Sequence, residues 1–254
     1  MKHQSLSFTA ETLLSFESVG VSFGRTVIHR DISFSVNAGE VVILLGPSGT
    51  GKTVLLKLLI GLLRPTTGVV RIEGKDLSQL NHDDMRLMRK EVGMLFQGAA
   101  LFDSLSVFEN IAFPLREYGE RDESVIQSIV AEKLGLVGLS GFAERLPAQL
   151  SGGQRKRVGL ARALAISPRV ILFDEPTTGL DPSSRNRIDE LIIRLRDELG
   201  ITSIVVTHDM ESARRISDRV ILISQGTVIV DAPASEAWES IDPVRRFASG
   251  DWSD

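Results

Sequence analysis

The chain has 254 residues, which at roughly 100 to 200 residues per domain corresponds to one large domain or two small ones. Hydrophobic residues make up 43% and charged residues 24%, a composition typical of a folded, water-soluble domain and unlike that of a disordered chain. The formal net charge of -4 argues against a broad nucleic-acid or anionic-membrane surface, and the lack of cysteine excludes disulfides, thiolate zinc sites and cysteine nucleophiles.

The first part of the chain predicts strands around one helix. Residues 13–36 and 68–74 have the pattern of short strands with turns, which predicts an antiparallel addition beside a main sheet. The apolar run at residues 41–45 indicates a strand buried on both faces, and residues 51–63 indicate a helix. The most apolar stretch, residues 54–63, is too short to span a bilayer, and the N-terminus lacks the pattern of a signal peptide. We therefore expect a cytoplasmic protein that does not cross a membrane.

The second part of the chain alternates between helical and strand patterns. Residues 99–167 carry apolar residues near helical spacing, which we interpret as a helical insertion. Apolar runs at residues 170–173, 203–206 and 219–223 indicate further buried strands, with helices between them. Asp181 followed by Pro182 predicts a capped helix start. The alternation predicts an α/β fold with a mainly parallel sheet.

A glycine-rich segment follows the strand at residues 41–45 and opens the next helix, which is the context that the phosphate-loop pattern GxxxxGK[ST] requires. Backbone amides and the helix N-terminus would surround an anion, Lys52 would place its charge at the β and γ phosphates, and the Thr53 hydroxyl would bind Mg²⁺. The segment predicts a nucleotide site; an ordinary glycine turn is the alternative. Its residues are Gly46, Pro47, Ser48, Gly49, Thr50, Gly51, Lys52 and Thr53.

Two carboxylates and a histidine follow other predicted strands. Asp174 and Glu175 come at the end of one strand and face different directions, so we expect Asp174 in the metal shell and Glu175 holding an attacking water. A surface carboxylate pair is the alternative. His208 follows another strand at the same sheet edge, where it would reach the γ-phosphate, although a histidine in such a place is often structural.

A second glycine-rich segment precedes a helix that carries basic residues. Paired glycines at a helix start offer a second phosphate-binding terminus. The alternative is a Ser-capped helix with a solvated basic face, and composition does not decide between the two. The segment is Leu150, Ser151, Gly152, Gly153 and Gln154, and the basic residues are Arg155, Lys156, Arg157 and Arg162.

In their order and spacing, these motifs, with Gln97 and residues 179–181, resemble the nucleotide-binding subunits of ABC transporters across about residues 14–232. The resemblance implies an ATPase that uses ATP and Mg²⁺. It also implies a P-loop NTPase (RecA-like) fold with a mainly parallel sheet, an N-terminal antiparallel β-subdomain and a helical subdomain inserted at about residues 99–167. Residues 233–254 would form a C-terminal extension.

In that family two copies pack head to tail, and each ATP lies between the phosphate loop of one copy and the LSGGQ helix of the other. The resemblance implies that Asp181 bridges the two sites, and that Gln97 senses Mg²⁺ and water and links to the membrane subunit. Phe23 falls where the family stacks an aromatic ring on adenine; a core phenylalanine is the alternative. The residues implied to complete the partner's site are Ser151, Gly152, Gly153 and Gln154.

Residues 96–116 resemble, more narrowly, the ATPase of the Mla and Mce-linked lipid transporters, as do residues 177–182, 206–213 and 242–250. This resemblance implies a subunit that powers phospholipid transport between membranes through a separate integral membrane permease, peripheral to the cytoplasmic face of the inner membrane. It further implies an Mce-domain protein as a partner and leaves a small regulatory subunit open. Gln154 departs from some members of the lipid group, which carry methionine there.

Two other functions remain as alternatives. One is an ABC transporter ATPase for an amino acid, a metal or a lipoprotein. The other is a soluble ABC ATPase of translation or DNA repair, against which the single phosphate loop, the missing heptad run and the acidic balance argue. We therefore expect no nucleic-acid partner.

Apolar residues of the predicted insertion have two interpretations. They form the core of the insertion, or part of the set lines a groove for a short cytoplasmic helix of the permease. Near the end of the chain, Trp252 is predicted to lie in a frayed tail, with an anchor on a partner as the alternative. The insertion residues in question are Leu101, Phe102, Phe108, Phe113 and Leu115.

Overall fold

The computed structural model describes residues 12–252, in which ten strands form one sheet and helices cover it. The strands are β1 (Thr12–Phe23), β2 (Thr26–Asn37), β3 (Val41–Leu45), β4 (Thr67–Ile72), β5 (Lys75–Asp76), β6 (Val92–Leu95), β7 (Val170–Asp174), β8 (Thr202–Val206), β9 (Arg219–Ser224) and β10 (Thr227–Pro233). The α-helices are α1 (Lys52–Leu59), α2 (His82–Met88), α3 (Val107–Glu117), α4 (Glu123–Leu136), α5 (Gly152–Leu164), α6 (Pro182–Leu199), α7 (Met210–Ile216), α8 (Ala234–Ala237) and α9 (Asp242–Ser249).

The sheet has a parallel part and an antiparallel part. Strands β6, β7, β8, β3 and β9 are neighbours in that order and run parallel. Strands β5, β4, β1 and β2 pair antiparallel, and β10 pairs antiparallel with β9. One register pair, Thr227 with Asp31, joins β10 to β2. The predicted α/β fold with an N-terminal antiparallel addition is therefore confirmed.

Burial on both faces explains the continuous apolar runs of the parallel strands. Every residue of β3, β7 and β8 is buried. Alternate residues of a strand point to opposite faces, and accordingly Val41 and Ile43 belong to one apolar cluster and Val42 and Leu44 to another. The carboxyl ends of these strands meet at one edge of the sheet, where the predicted site residues follow.

Helix α1 ends at Leu59, earlier than the predicted end at residue 63. Gly61 has a φ of +65°, and its amide donates to the carbonyl of Leu58 at 3.0 Å. The amide of Leu62 donates to the carbonyl of Lys57 at 2.9 Å. Together these bonds form the left-handed glycine cap that commonly stops helices, and the cap leaves Leu62 59% exposed.

The apolar residues of the insertion divide into buried and exposed members. Leu115 is buried, and Leu101 and Phe108 pack against the main core. Phe102 and Phe113 are 44% and 41% exposed, and their ring centroids lie 4.9 Å apart. These two rings therefore form a surface feature and not part of the core.

The C-terminal segment packs on the main body of the protein. Val244 of α9 is fully buried, and Trp238 Nε1 donates to Ser217 Oγ at 2.9 Å. The ring of Trp252 lies edge-on against Phe247, with centroids 6.1 Å apart, and packs against the core. The prediction of a frayed tail at Trp252 is therefore wrong. Within residues 12–252, no helix has the length and apolar character needed to span a membrane.

Candidate active site

Residues 46–51 form a loop that joins β3 to α1, and its backbone requires glycine at two points. Gly46 has a φ of +149°, and a Cβ there would overlap the carbonyl oxygen of Ile223. Gly51 has a φ of +85°, and a Cβ there would lie 2.7 Å from His29 Nε2. The loop is therefore held close to β2 and β9, while its tip at residues 48–49 is exposed.

Lys52 folds back over this loop. Its Nζ donates to the carbonyl oxygens of Gly46 at 2.6 Å and Pro47 at 2.9 Å. Burial lowers the pKa of Lys52, and the nearby carboxylates of Glu175 and Asp174 partly oppose this shift. Thr50 Oγ1 also donates to the Pro47 carbonyl, at 2.9 Å. A cation over a glycine loop at a helix N-terminus fits a phosphate group.

The metal candidates Thr53 and Asp174 are in contact. Thr53 Oγ1 donates to Asp174 Oδ1 at 3.0 Å and lies 3.2 Å from Oδ2. Burial raises the pKa of Asp174, and the hydrogen bond from Thr53 opposes this shift. Within residues 12–252 there is no group of three or more acidic, histidine or cysteine side chains arranged to hold a metal ion. A hydroxyl and one carboxylate fit Mg²⁺, which usually takes few protein ligands and shares substrate phosphates.

Glu175 lies on the turn after β7, beside the end of β8. Its φ is +53°, and its amide donates to the carbonyl of Val206 at 2.9 Å. Thr178 Oγ1 donates to Glu175 Oε2 at 2.9 Å, and His208 Nδ1 lies 2.8 Å from the same oxygen. The two carboxylates thus have separate partners, Thr53 for Asp174 and this pair for Glu175.

Gln97 and Phe23 lie at two other edges of this region. Gln97 is exposed and follows β6, whose Leu95 pairs with Phe173 of β7, so Gln97 comes at the same sheet edge as Glu175. Within the described chain no hydrogen bond joins Gln97 to Thr53 or Asp174. Phe23 ends β1 and is 49% exposed. The alternative of a core phenylalanine is therefore wrong.

The second glycine-rich segment caps α5. Ser151 Oγ accepts from the Gln154 amide at 3.2 Å, and Gln154 Oε1 accepts from the Ser151 amide at 2.9 Å. The neighbours of Gly152 and Gly153 are residues 180 and 184 at the start of α6, not the phosphate loop. Asp181 is exposed and caps α6 by accepting from the Ser184 amide at 3.0 Å, and hydrogen bonds from Ser184 lower its pKa.

The basic residues of α5 do not form the solvated face that was the alternative. Lys156 and Arg157 are 5% and 8% exposed, Arg162 is half-buried, and Arg155 is exposed. Lys156 donates to the carbonyls of Glu175 and Thr178, and Arg157 to those of residues 137 and 138. Arg162 donates to those of residues 99 and 100. The sequence signal for this burial was that Lys156 and Arg157 lie on the face of α5 that its apolar residues also occupy.

His29 is a buried residue that contacts the phosphate loop. It lies on β2 under the phosphate loop, is 1% exposed, and its Nε2 is 3.1 Å from the Gly51 carbonyl oxygen. Burial lowers its pKa, so the neutral ring donates from Nε2, and its Nδ1 is buried without a partner among the described residues. No motif marks this residue, because its contact with Gly51 arises only from the folded strand.

Comparisons with known proteins agree with this geometry. Residues 29–178 match the ABC transporter family. The chain is 41% identical over 242 residues to the intermembrane phospholipid transport system ATP-binding protein MlaF of Haemophilus influenzae, a match that covers 95% of this chain and 92% of that protein. It is 44% identical over 230 residues to the probable ribonucleotide transport ATP-binding protein mkl of Mycobacterium tuberculosis, and 42% identical over 238 residues to the sulfate/thiosulfate import ATP-binding protein CysA of Escherichia coli.

The matches to mkl and CysA cover only part of those two proteins. They cover 90% and 92% of this chain, which spans 64% of the length of mkl and 63% of that of CysA. Among solved structures, cbiO1 of Clostridium perfringens, part of the ABC transporter complex cbiONQ, superposes with a TM-score of 0.84 at 29% identity, covering 91% of this chain and 92% of that one. The ATP-binding cassette MJ0796, a dimer bound to ADP and Pi, gives a TM-score of 0.79 at 33% identity, with coverages of 87% and 99%. The chain therefore belongs to the ABC transporter family and carries the ATPase cassette of that family.

Proposed function

We propose that this chain is the ATP-hydrolysing subunit of an ABC transporter that moves phospholipid between membranes through a separate permease. The observation that carries the cargo assignment is the end-to-end match to MlaF, which covers nearly all of both chains. The matches to mkl and CysA leave about a third of those proteins uncovered. MlaF, whose name gives phospholipid as the cargo, is thus matched over nearly its whole length.

The working form is a head-to-tail dimer. In one chain the capped N-terminus of α5 lies against the start of α6, away from the phosphate loop. A helix N-terminus with two glycines and free amides suits an anion, and a second copy supplies that anion as its bound ATP. The dimeric cassette MJ0796 supports this arrangement. Ser151, Gly152, Gly153 and Gln154 would face the partner's ATP, with Asp181 between the two sites.

The chemistry of the site rests on charge and positioning. Lys52 binds the β and γ phosphates, and Phe23 stacks on adenine. Thr53 and Asp174 would hold Mg²⁺, with Gln97 proposed as a further ligand, and the bound ion would supply positive charge to the phosphate oxygens. Glu175 orients the attacking water and accepts its proton, while His208 holds the carboxylate of Glu175 and faces the γ-phosphate.

An apolar groove beside the insertion is the docking site of the permease. The groove has a volume of about 510 Å³ and is lined by residues that include Leu62, Met94, Phe96, Phe102 and Phe113. Its lining is mainly apolar, and such a groove fits one face of an amphipathic helix. Docking there would hold the chain at the cytoplasmic face of the inner membrane, with an Mce-domain protein elsewhere in the complex.

Asn110 holds the backbone of the loop that carries Phe102, one of the groove residues. It is fully buried in α3, its Oδ1 accepts from the Phe102 amide at 2.8 Å, and its Nδ2 donates to the carbonyls of Phe102, Leu105 and Ser106. The loop that presents Phe102 is therefore fixed before any partner arrives. Preorganisation of this kind lowers the entropic cost of binding.

A transporter ATPase for another cargo is the second candidate. The observation that favours it is CysA, a sulfate/thiosulfate import protein that is 42% identical to this chain, slightly more than MlaF. Since the ATPase does not contact cargo in transporters of this kind, the site geometry is the same for both candidates. The two candidate functions are distinguished by the proteins with which the chain forms a complex.

The test is purification of the tagged chain from detergent-solubilised membranes of its own cells, followed by mass spectrometry of proteins and lipids. Recovery of a permease, an Mce-domain protein and bound phospholipid supports the proposal. A permease with a periplasmic solute-binding protein would overturn the lipid cargo and leave the ATPase standing. Ribosomes or DNA without any membrane protein would overturn the transporter function.

The same experiment tests the groove with two variants. Phe113→Glu places a charge in the groove and is expected to lose the permease. Leu199→Glu changes another exposed apolar side chain, 52% exposed at the end of α6, and is expected to keep it. Equal recovery of the permease with both variants would place the docking site elsewhere.

A further inference from the structure

The ammonium group of Lys156 is buried beneath the turn that carries Glu175. Lys156 is 5% exposed, and its Nζ donates to the carbonyl oxygens of Glu175 and Thr178, each at 2.9 Å. In the part of the chain that the structure describes, no carboxylate forms a salt bridge with this Nζ. The hydrogen bonds that hold this cation therefore go to backbone carbonyls.

Burial of the Lys156 ammonium carries a desolvation cost that burial of an apolar side chain does not. Burial lowers the pKa of Lys156 to about 8, and the charge of Glu175 only partly opposes the shift. A methionine of similar length fills the same space without this desolvation cost. What lysine adds at this position is a pair of N–H donors that meet two specific carbonyls.

Those carbonyls belong to the first and last residues of the turn at residues 175–178. Glu175 adopts a left-handed φ of +53°, which is uncommon for a residue with a side chain and needs support from its surroundings. Thr178 bonds the Glu175 carboxylate from within the same turn. By holding both ends of the turn, Lys156 sets the orientation of the peptide from which the Glu175 side chain projects.

The same helix also carries the segment assigned to the partner's ATP. Helix α5 is continuous over Gly152–Leu164, its N-cap is Ser151, and Lys156 lies in its second turn. A shift at the start of a rigid helix moves the residues of its next turn as well. The N-terminus of α5 is assigned to the partner's ATP, and the turn at residues 175–178 to the chain's own ATP. Lys156 therefore links the two through its hydrogen bonds to that turn.

We infer that Lys156 is a positioning residue that couples the two ATP sites of the dimer. Contact of the α5 N-terminus with the partner's ATP sets, through Lys156, the orientation of Glu175 in the chain's own site. The inference rests on the proposed function, because it needs a dimer with two shared sites. Coupling between sites requires an element whose state both sites influence, and α5 with the turn at residues 175–178 is that element.

The test compares Lys156→Met, which removes the donors, with Lys156→Arg, which keeps them, in the purified transporter complex. Misplacement of a catalytic group by about 1 Å can cost about 100-fold, so we expect Lys156→Met to lower kcat roughly 10- to 100-fold. The Hill coefficient for ATP should fall from above 1 to about 1. The Kd for ADP should change less than about twofold, and Lys156→Arg should recover most of kcat and the Hill coefficient.

The control is Arg194→Met, which removes an exposed cation of α6 that pairs with Glu198. It should behave as the wild type. A wild-type Hill coefficient of about 1, or a Lys156→Met variant with unchanged cooperativity whatever its kcat, would overturn the coupling. If Lys156→Met does not fold, Lys156→Leu, which also lacks donors, provides the comparison, with the same criterion. A wild-type complex that neither dimerises with ATP nor hydrolyses it would overturn the proposed function, and the positioning role with it.

Discussion

His208 Nδ1 and Thr178 Oγ1 both meet the same oxygen, Oε2, of Glu175, at 2.8 and 2.9 Å. Thr178 belongs to the turn after β7, and His208 follows β8, the neighbouring strand. The Glu175 carboxylate is therefore fixed from two loops at the edge of the sheet. A fixed carboxylate beside a phosphate loop is a suitable base for water, since positioning contributes much of the rate in phosphoryl transfer.

Replacing Lys52 with alanine should weaken nucleotide binding. A hydrogen bond to a charged group contributes about 1.5–3 kcal/mol, so the Kd for ATP should rise roughly 10- to 100-fold. Isothermal titration calorimetry of Lys52→Ala measures this change. Lys75→Ala, which removes an exposed lysine of β5, is the control and should leave the affinity as it is. Unaltered ATP affinity in Lys52→Ala would contradict the role of this side chain.

The ring of Phe23 should contribute to affinity through the base. Stacking of a base on an aromatic ring is worth about 1–3 kcal/mol, so Phe23→Ala should weaken ATP binding by about 5-fold or more, while Phe23→Tyr should bind normally. Phe102→Ala removes another ring, 44% exposed in the groove, and should not affect nucleotide affinity. An equal Kd for all of these variants would place adenine away from Phe23.

A methyl group at Gly51 should destabilise the fold. The Cβ of Gly51→Ala would lie 2.7 Å from His29 Nε2 and would overlap Ile28, at a φ of +85°. Strain and overpacking each cost about 1–3 kcal/mol, so the free energy of unfolding should fall by about 2–6 kcal/mol in urea denaturation.

Gly24→Ala is the matched control for this substitution. Gly24 also has a left-handed φ, +60°, but apart from Gly24 and its two chain neighbours no residue of 12–252 has an atom within 4 Å of the place that a Cβ would take. The variant should therefore carry only the backbone strain, about 1–2 kcal/mol. Equal losses of stability for the two glycines would show that the contact with His29 and Ile28 does not matter.

The sequence predicted the parts of this protein that local pattern controls. The strand β3 was predicted with its observed bounds, since a five-residue apolar run between turn residues admits few alternatives. The phosphate loop was placed because its motif and its strand-to-helix context are both local. The end of α1 was predicted too late, because the Gly61 cap was not weighed against the apolar pattern that continues through Leu62 and Leu63.

Contacts between residues that are far apart in the sequence could not be predicted from the local sequence pattern. The burial of Lys156 and Arg157 depends on carbonyl oxygens of other loops, at residues 175 and 178 and at residues 137 and 138. The placement of His29 under Gly51 depends on how β2 lies beside the loop after β3. Neither set of contacts produces a periodic pattern in the sequence. A charged or polar side chain at such a position is therefore predicted to be solvent-exposed.

The buried ammonium of Lys156 should make stability depend on pH. The pKa of Lys156 is lowered to about 8 in the folded chain from the ordinary value of 10.5. Between these values the unfolded chain binds a proton that the folded chain does not, so the free energy of unfolding rises with pH in that window. From about pH 7.5 to about pH 9.5 the wild type should gain stability relative to Lys156→Met in urea denaturation. A constant difference between the two would contradict the burial of a charged group.

The most direct test of the shared-site ATPase is the mass of Glu175→Gln with ATP, measured by size-exclusion chromatography with light scattering, together with the amount of ADP formed. Removal of the base should lower hydrolysis by about 10²- to 10⁴-fold while binding persists. We expect twice the monomer mass with ATP, the monomer mass without it, and intact nucleotide in the dimer peak. A monomer at saturating ATP, or hydrolysis at the wild-type rate, would contradict the account.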